Sequence, residues 1–265
     1  MKLSIITVNL NNATGLLKTI QSVVSQTWQE FEYIVIDGGS NDGSVEIIKQ
    51  YEDYCYSWVS EEDTGVYQAM NKGIARANGT YLLFLNSGDF LLNELVLESI
   101  FTHDYEADIL CGRCNLSQNG VVKWTTNPPN MVTFATLYHG GGLAHQSTFI
   151  RKTLFEKLGF YKEDYKYNSD IEFWYRSIIL NDASTHKLDI VVTDYNLEGI
   201  SNSGRLENTY LIEMEEILIP FKKIIPDYDS FNEEKESMKI YSWAKKHKII
   251  DKILYLTYKF CKTFK

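Results

Sequence analysis

The sequence predicts an α/β protein built on a mostly parallel central sheet with helices on its faces. Three observations carry that prediction. Strand-like runs at Leu3 to Val8, Glu32 to Ile36, Ser57 to Ser60 and from Tyr81 alternate with helical patterns, the order that right-handed crossovers require. The run Tyr81 to Asp89, YLLFLNSGD, is almost wholly apolar before it stops at Asn86, Ser87, Gly88 and Asp89, as a strand covered on both faces reads. Finally, Asn9, Asp37, Asp63 and Asp89 stand at or just past the ends of successive strands, so all four converge on the carboxyl edge, where open α/β sheets hold ligands.

Taken in order, the strand Leu3 to Val8 is followed by Asn9, Asn11 and Asn12, and Asn12 is placed to cap a helix whose Leu16, Leu17, Ile20, Val23 and Val24 recur at helical spacing. Glu32 to Ile36 runs into Asp37-Gly-Gly-Ser-Asn-Asp-Gly-Ser44, whose glycines permit a tight turn before a helix around Val45 to Tyr51. Ser57 to Ser60 delivers Glu61, Glu62 and Asp63. A helix then runs from about Thr64 to Ala77, with Asn78-Gly79 reading as its C-cap. After Leu110 the alternation stops. Asn127-Pro-Pro-Asn130 is a loop, His139-Gly-Gly-Gly142 a flexible segment, and His145 to Ile150 resumes a strand-like run. Tyr167 to Arg176 opens a helix with Ser169 or Asp170 near its start, where a carboxylate is favoured by the dipole and serves equally as a cap.

Composition bounds the function. The 265 residues are 44% hydrophobic and 14% aromatic, enough for a full core. No apolar run reaches the roughly 20 residues of a membrane span. The N-terminus enters a strand without a signal-peptide pattern, which points to a cytosolic protein. Four cysteines make no disulfide framework, and Cys111-Gly-Arg-Cys114 lacks the second pair or histidine of a zinc site, so small buried strand cysteines are expected. The net charge of −9 conceals a division: Lys239 to Lys265 carries eight lysines against Asp251, or +7, which leaves −16 on the first 238 residues. An acidic body does not suggest a nucleic-acid partner.

No G-x-G-x-x-G follows the first strand and no phosphate-binding G-x-x-x-x-G-K-[ST] occurs, so neither a dehydrogenase nor a P-loop enzyme is indicated. Carboxylates repel phosphate unless a divalent cation intervenes. The edge therefore implies a metal-bridged diphosphate or hydrogen bonding to a base and sugar.

Five stretches in order, Ser4-Ile-Ile-Thr-Val-Asn9, Asp37 to Ser44, Ser60 to Gly73, Phe84-Leu-Asn-Ser-Gly-Asp89 and Ser169 to Arg176, resemble family 2 glycosyltransferases of the GT-A fold, of the bacterial surface-polysaccharide type. The match runs from about Lys2 to Ser203. The resemblance implies a nucleotide-diphosphate sugar donor, with a bias towards UDP, a divalent cation (Mg²⁺ or Mn²⁺) and inversion by direct displacement. It implies that Thr7, Asn9 and Asp37 hold the nucleoside, that Asp63 lies by the nucleotide, that Lys72 faces the diphosphate with Asn86 and Ser87 on the donor side, that Asp89 ends the metal-binding D-x-D region and that Asp170 is the catalytic base. His145, Gln146 and the glycines at 140 to 142 resemble the acceptor side. The chain departs from the family at Asn86 and Gly88, where members usually carry Asp, so Asp89 is the one carboxylate left in that stretch.

The expected layout is a GT-A domain over 1–205, with a nucleotide-sugar half at 1–110 and an acceptor half at 111–205, followed by a basic helical extension at 206–265. Aromatic residues among the lysines of 239–265 suggest a helix lying on an anionic membrane, hence an enzyme on the inner face of the cell membrane acting on a saccharide or lipid-linked saccharide. A metal-dependent nucleotide-sugar hydrolase and a catalytically silent saccharide-binding module stay open as alternatives.

Overall fold

The computed structural model describes residues 1–140, 143–197 and 208–222; the glycines at 141 and 142 and the whole basic segment 239–265 lie outside the described residues. Among the described residues nine strands form one sheet: β1 (Leu3–Asn9), β2 (Phe31–Asp37), β3 (Ser57–Ser60), β4 (Tyr81–Phe84), β5 (Phe90–Leu91), β6 (Ile109–Gln118), β7 (Val121–Thr125), β8 (Thr148–Arg151) and β9 (Thr185–Asn196). Their order is β3-β2-β1-β4-β8-β6-β9-β5, with β7 paired to β6. The first four run parallel, as do β6 and β9. β8 is antiparallel to both of its neighbours.

The apolar runs lack polar alternation because both faces of the sheet are covered. On β1, Leu3 and Ile5 join Leu16, Ile20 and Val23 of α1 (Ala13–Val24) in one core, while Ile6 and Val8 join Met70 and Ile74 of α3 (Val66–Arg76) in the other. Val35 faces the first core, Ile34 and Ile36 the second. Since side chains alternate along a strand, both faces of these two strands find apolar cover.

Asn12 caps α1 as its position suggested, its side chain accepting from the Gly15 amide at 3.1 Å. The end of α3 differs from the expectation. Ala77, in extended conformation, is the C-cap. Gly79 instead lies against β1, where a Cβ would sit 2.4 Å from the Ser4 nitrogen; the glycine answers a close backbone approach rather than a left-handed turn. Its amide donates to Ser4 Oγ at 2.8 Å, and that hydroxyl donates to the buried Glu32 at 2.6 Å. Cys111 and Cys114 are buried on β6, where burial raises their thiols to about 12 and about 11.

Between these elements lie α2 (Ser44–Gln50), α4 (Val96–Phe101), α5 (Phe134–Tyr138), α6 (Lys152–Leu158), α7 (Ser169–Trp174) and α8 (Asn208–Lys222). The chain divides into two compact units, Met1–Met214 and Glu215–Lys265, so the boundary falls within α8. Among the described residues no helix is long and apolar enough to cross a membrane.

Candidate active site

The parallel register sets the first half of the site. Asn9, Asp37 and Ser60 are direct partners across β1, β2 and β3, so three polar side chains end at one level of the edge. The Asp37 carboxylate has no exposed surface. It accepts from Asn9 Nδ2 at 2.7 Å, Ser40 Oγ at 2.6 Å, the Ser40 amide at 2.9 Å and Ser60 Oγ at 2.6 Å. Burial pushes its pKa up, but the bonds from Ser40, Ser60 and Asn9 outweigh that and hold it below the ordinary carboxylate value.

Asp63 comes back over this turn, and a Cβ at Gly38 would stand 2.7 Å from its Oδ2. Burial raises its pKa against the Gly65 amide and the charge of Lys72, with the Asp37 charge adding to the rise. Lys72 itself is paired with Glu61 at 2.9 Å and donates to the Glu62 carbonyl at 3.2 Å. Thr7 is fully buried, its hydroxyl accepting from Tyr33 at 3.0 Å. Thr7 thus stands apart from the polar cluster at the strand ends, whereas Lys72 reaches Asp63 through its charge alone.

The second half is the turn after β4. Beyond Phe84 the chain still tracks β1, with the Leu85 and Ser87 amides donating to the Ile6 and Val8 carbonyls. This carries Asn86 to Asp89 to the edge where Asn9 ends. Asn12 Nδ2 holds the Ser87 carbonyl at 3.0 Å; the buried Thr19 hydroxyl donates to the Asp89 carbonyl at 2.7 Å and accepts from the Gly88 amide at 2.9 Å. Asp89 is 4% exposed. Burial raises its carboxyl to about 7, opposed by His145, the Asn196 amide and Gln146 and reinforced by Asp194.

Among the described residues no three His, Cys, Asp or Glu side chains cluster as a metal cage. What this turn does offer fits a hard cation held largely by the donor's phosphates: the buried Asp89 carboxylate and, three residues earlier, the Asn86 Oδ1, a buried oxygen with no hydrogen-bond donor.

Antiparallel β8 completes the site. Because Leu82 pairs with Ile150, β8 begins where β4 ends, and the turn His145–Ser147 before it falls beside Asn86. His145 Nε2 is 3.4 Å from Asn86 Nδ2, and its Nδ1 is 3.1 Å from Asp170 Oδ2. A carboxylate only accepts, so Nδ1 carries the hydrogen and, in the neutral ring, Nε2 is the acceptor. The other oxygen of Asp170 accepts from Tyr67 OH at 3.0 Å. Burial alone would raise Asp170; the bonds from His145 and Tyr67 and the charge of His145 leave its pKa lowered. Asp170 is not the helix cap, since the N-cap position of α7 is Asn168. Ser40, Ser60 and Tyr67 carry no role in the sequence reading, although Ser40 lies within the Asp37 to Ser44 motif and Ser60 and Tyr67 within the Ser60 to Gly73 motif.

Comparison with known proteins decides the family. A sequence model described as Glycosyl transferase family 2 matches residues 4–160. This chain belongs to that family. A glycosyltransferase of Mycobacterium tuberculosis H37Rv described as uncharacterized is 30% identical over 213 residues, covering 75% of this chain and 76% of its own. A PGL/p-HBAD biosynthesis glycosyltransferase of Mycobacterium bovis BCG is 30% identical over 206 residues, covering 76% and 79%. Among solved structures, Staphylococcus aureus TarS 1-349 in complex with UDP-GlcNAc superposes with a TM-score of 0.64 at 20% identity, over 83% of this chain and 66% of that one. The mannosyltransferase PcManGT from Pyrobaculum calidifontis, in complex with GDP-Man and Mn²⁺, gives 0.59 at 12% identity, over 83% and 67%. These likenesses establish the GT-A type fold, and the family match makes the chain a nucleotide-sugar glycosyltransferase.

The state of Asp89 has a measurable consequence. In the metal-free folded protein its carboxyl titrates near 7, against about 3.9 in an unfolded chain. Between these values the folded state holds a proton that the unfolded state has lost, so stability falls as pH rises, by on the order of 4 kcal/mol. Asp37 and Asp170, with lowered values, are ionised in both states across this window. Urea unfolding at pH 5 and pH 7.5, which spans part of that range, should show a loss of roughly 2 to 3 kcal/mol in the parent and a much flatter response in Asp89→Asn; parallel responses would refute the assignment.

Proposed function

We propose that this glycosyltransferase carries out inverting transfer from a UDP-sugar to a hydroxyl of a saccharide or lipid-linked saccharide during synthesis of a cell-surface polysaccharide. The observation that carries the reading is the Asp170 carboxylate, ionised and oriented through both oxygens by His145 and Tyr67. The named complexes of TarS with UDP-GlcNAc and with UDP support the nucleotide, and the PGL/p-HBAD biosynthesis relative supports a glycolipid or glycan product.

In this reading Asn9 and Asp37 orient the base and sugar of the nucleotide, with Asp63 beside them, and Asn86 and Ser87 border the diphosphate. Asp170 takes the proton of the acceptor hydroxyl as its oxygen bonds to the anomeric carbon, and the bond from that carbon to the diphosphate oxygen breaks with its electron pair leaving on phosphate. Attack from the face opposite the leaving group inverts the centre, the stereochemistry that governs water attack in inverting glycosidases. A lowered pKa makes Asp170 a weak base, suited to accepting the proton late, when the new bond has acidified the hydroxyl. Asp89 and the Asn86 Oδ1 would hold Mg²⁺ or Mn²⁺, which when bound neutralises charge on the departing diphosphate. His145 and Gln146 border the acceptor.

Asp170→Asn keeps the shape and removes the base. Turnover of UDP-GlcNAc with Mn²⁺, followed as UDP release, should fall roughly 10²- to 10⁴-fold while UDP affinity stays near that of the parent. Near-parental turnover would sink the role of Asp170.

The segregation of +7 into residues 239–265 supports peripheral binding to an anionic membrane. Vesicles rich in anionic lipid should sediment the full chain at low salt and release it at high salt, since such attraction is screened. A chain ending at residue 238 should stay in the supernatant while still binding UDP; equal sedimentation of the two would contradict the membrane reading.

A further inference from the structure

Helix α8 lies beyond the residues matched by the family model, and it supplies a buried carboxylate as fully bonded as Asp37. Glu213 is 5% exposed. Its Oε1 accepts from the Lys166 amide at 2.6 Å, and its Oε2 from the amides of Tyr167 at 3.1 Å and Asn168 at 3.0 Å and from Asn168 Nδ2 at 3.0 Å. Three successive backbone N–H groups turned to one side form a concave anion seat, and here the anion is the chain's own side chain. Asn168, at the N-cap of α7, makes no side-chain cap bond: its Nδ2 donates to Glu213 and, at 3.0 Å, to the Tyr210 carbonyl, and in that orientation its Oδ1, the atom a cap bond would use, is buried without a donor.

The seat leads directly to the candidate base. The peptide joining Tyr167 to Asn168 is gripped on both sides, its N–H by Glu213 and its carbonyl by Tyr67 OH at 2.8 Å. That same hydroxyl lies 3.0 Å from Asp170 Oδ1. A phenol has one hydrogen, so the Tyr167 carbonyl and the Asp170 carboxylate share it. Where the peptide sits sets how the hydrogen is divided.

We infer that Glu213 is a positioning residue for Asp170, fixing through the Tyr167–Asn168 peptide both the origin of α7 and the share of the Tyr67 hydrogen that Asp170 receives. The inference rests on the reading of Asp170 as the base. It assigns the first turns of α8 a part in turnover rather than in donor binding, because the Asp37 cluster makes none of these contacts.

Glu213→Gln tests it. The amide is nearly isosteric, yet it presents an NH₂ group to N–H donors where a second oxygen is needed. The most direct readout is the Nδ1–H resonance of His145, which reports its bond to Asp170 and requires neither donor nor acceptor; it is assigned by its loss in His145→Gln. In Glu213→Gln this resonance should move towards its position in Asp170→Asn. UDP affinity should stay within about twofold, and UDP-GlcNAc turnover should fall about tenfold to a hundredfold, the scale of a small misplacement of a reacting group. Combined with Tyr67→Phe, the resonance shifts should be less than additive although the two side chains do not bond each other. Should Glu213→Gln fail to bind UDP, Glu213→Asp, which keeps both oxygens, carries the same cycle. A parental resonance and turnover, or strictly additive shifts, would overturn the inference. Near-parental turnover in Asp170→Asn would instead remove the reading on which it rests.

Discussion

A carboxylate with no exposed surface must be neutral or fully bonded, and Asp37 is fully bonded. Its four donors come from the end of β1, from the β2–α2 turn and from the end of β3, so one side chain draws three segments of the edge together. The register that pairs Asn9, Asp37 and Ser60 makes this possible. The turn beyond β2 is tied back in turn: the Asn11 amide donates to Ser40 Oγ, and Asn11 Oδ1 accepts from the Asn41 amide. The loops at this edge are thus fixed to a scaffold whose two cores leave its central strands no freedom to shift register.

Three carboxylates at this edge, Asp37 and Asp89 buried and Asp170 half-buried, meet different fates. Asp37 and Asp170 gain enough hydrogen bonds to stay ionised, whereas Asp89 does not and rises to about 7. Buried groups whose environments push their pKa values apart are the signature of divided labour in a site. An ionised Asp170 suits proton acceptance, and a carboxyl poised near neutrality suits an exchange of its proton for a cation. His145 lies between them: its ring bonds Asp170, and its charge lowers Asp89.

Much of this was legible in the sequence, and the reason is local. Polar residues at the ends of apolar runs mark the edge of a parallel sheet whatever the packing around them, so Asn9, Asp37 and Asp89 could be placed before any coordinates. The Asn12 cap followed from spacing alone. What the sequence hid depends on contacts across long separations. Gly79 reads as a cap, yet it serves the close approach of β1. Tyr67 sits inside a motif without a role of its own, and only the fold brings its hydroxyl to Asp170. Glu213 lies outside every motif the sequence offers; its role arises from backbone groups some 45 residues earlier. Antiparallel insertion of β8 likewise sets His145 beside Asn86, a meeting that no spacing announces.

The central claim, that the edge built on Asp37 is a nucleotide seat, is most directly tested by calorimetric titration of UDP, with and without Mn²⁺, into the parent and into Asp37→Ala. The parent should bind UDP, more tightly with Mn²⁺, and the variant should bind more weakly by about 1 to 3 kcal/mol, the range for a hydrogen bond to a charged acceptor. Equal affinity in the two proteins, or no binding of UDP by the parent, would contradict the account.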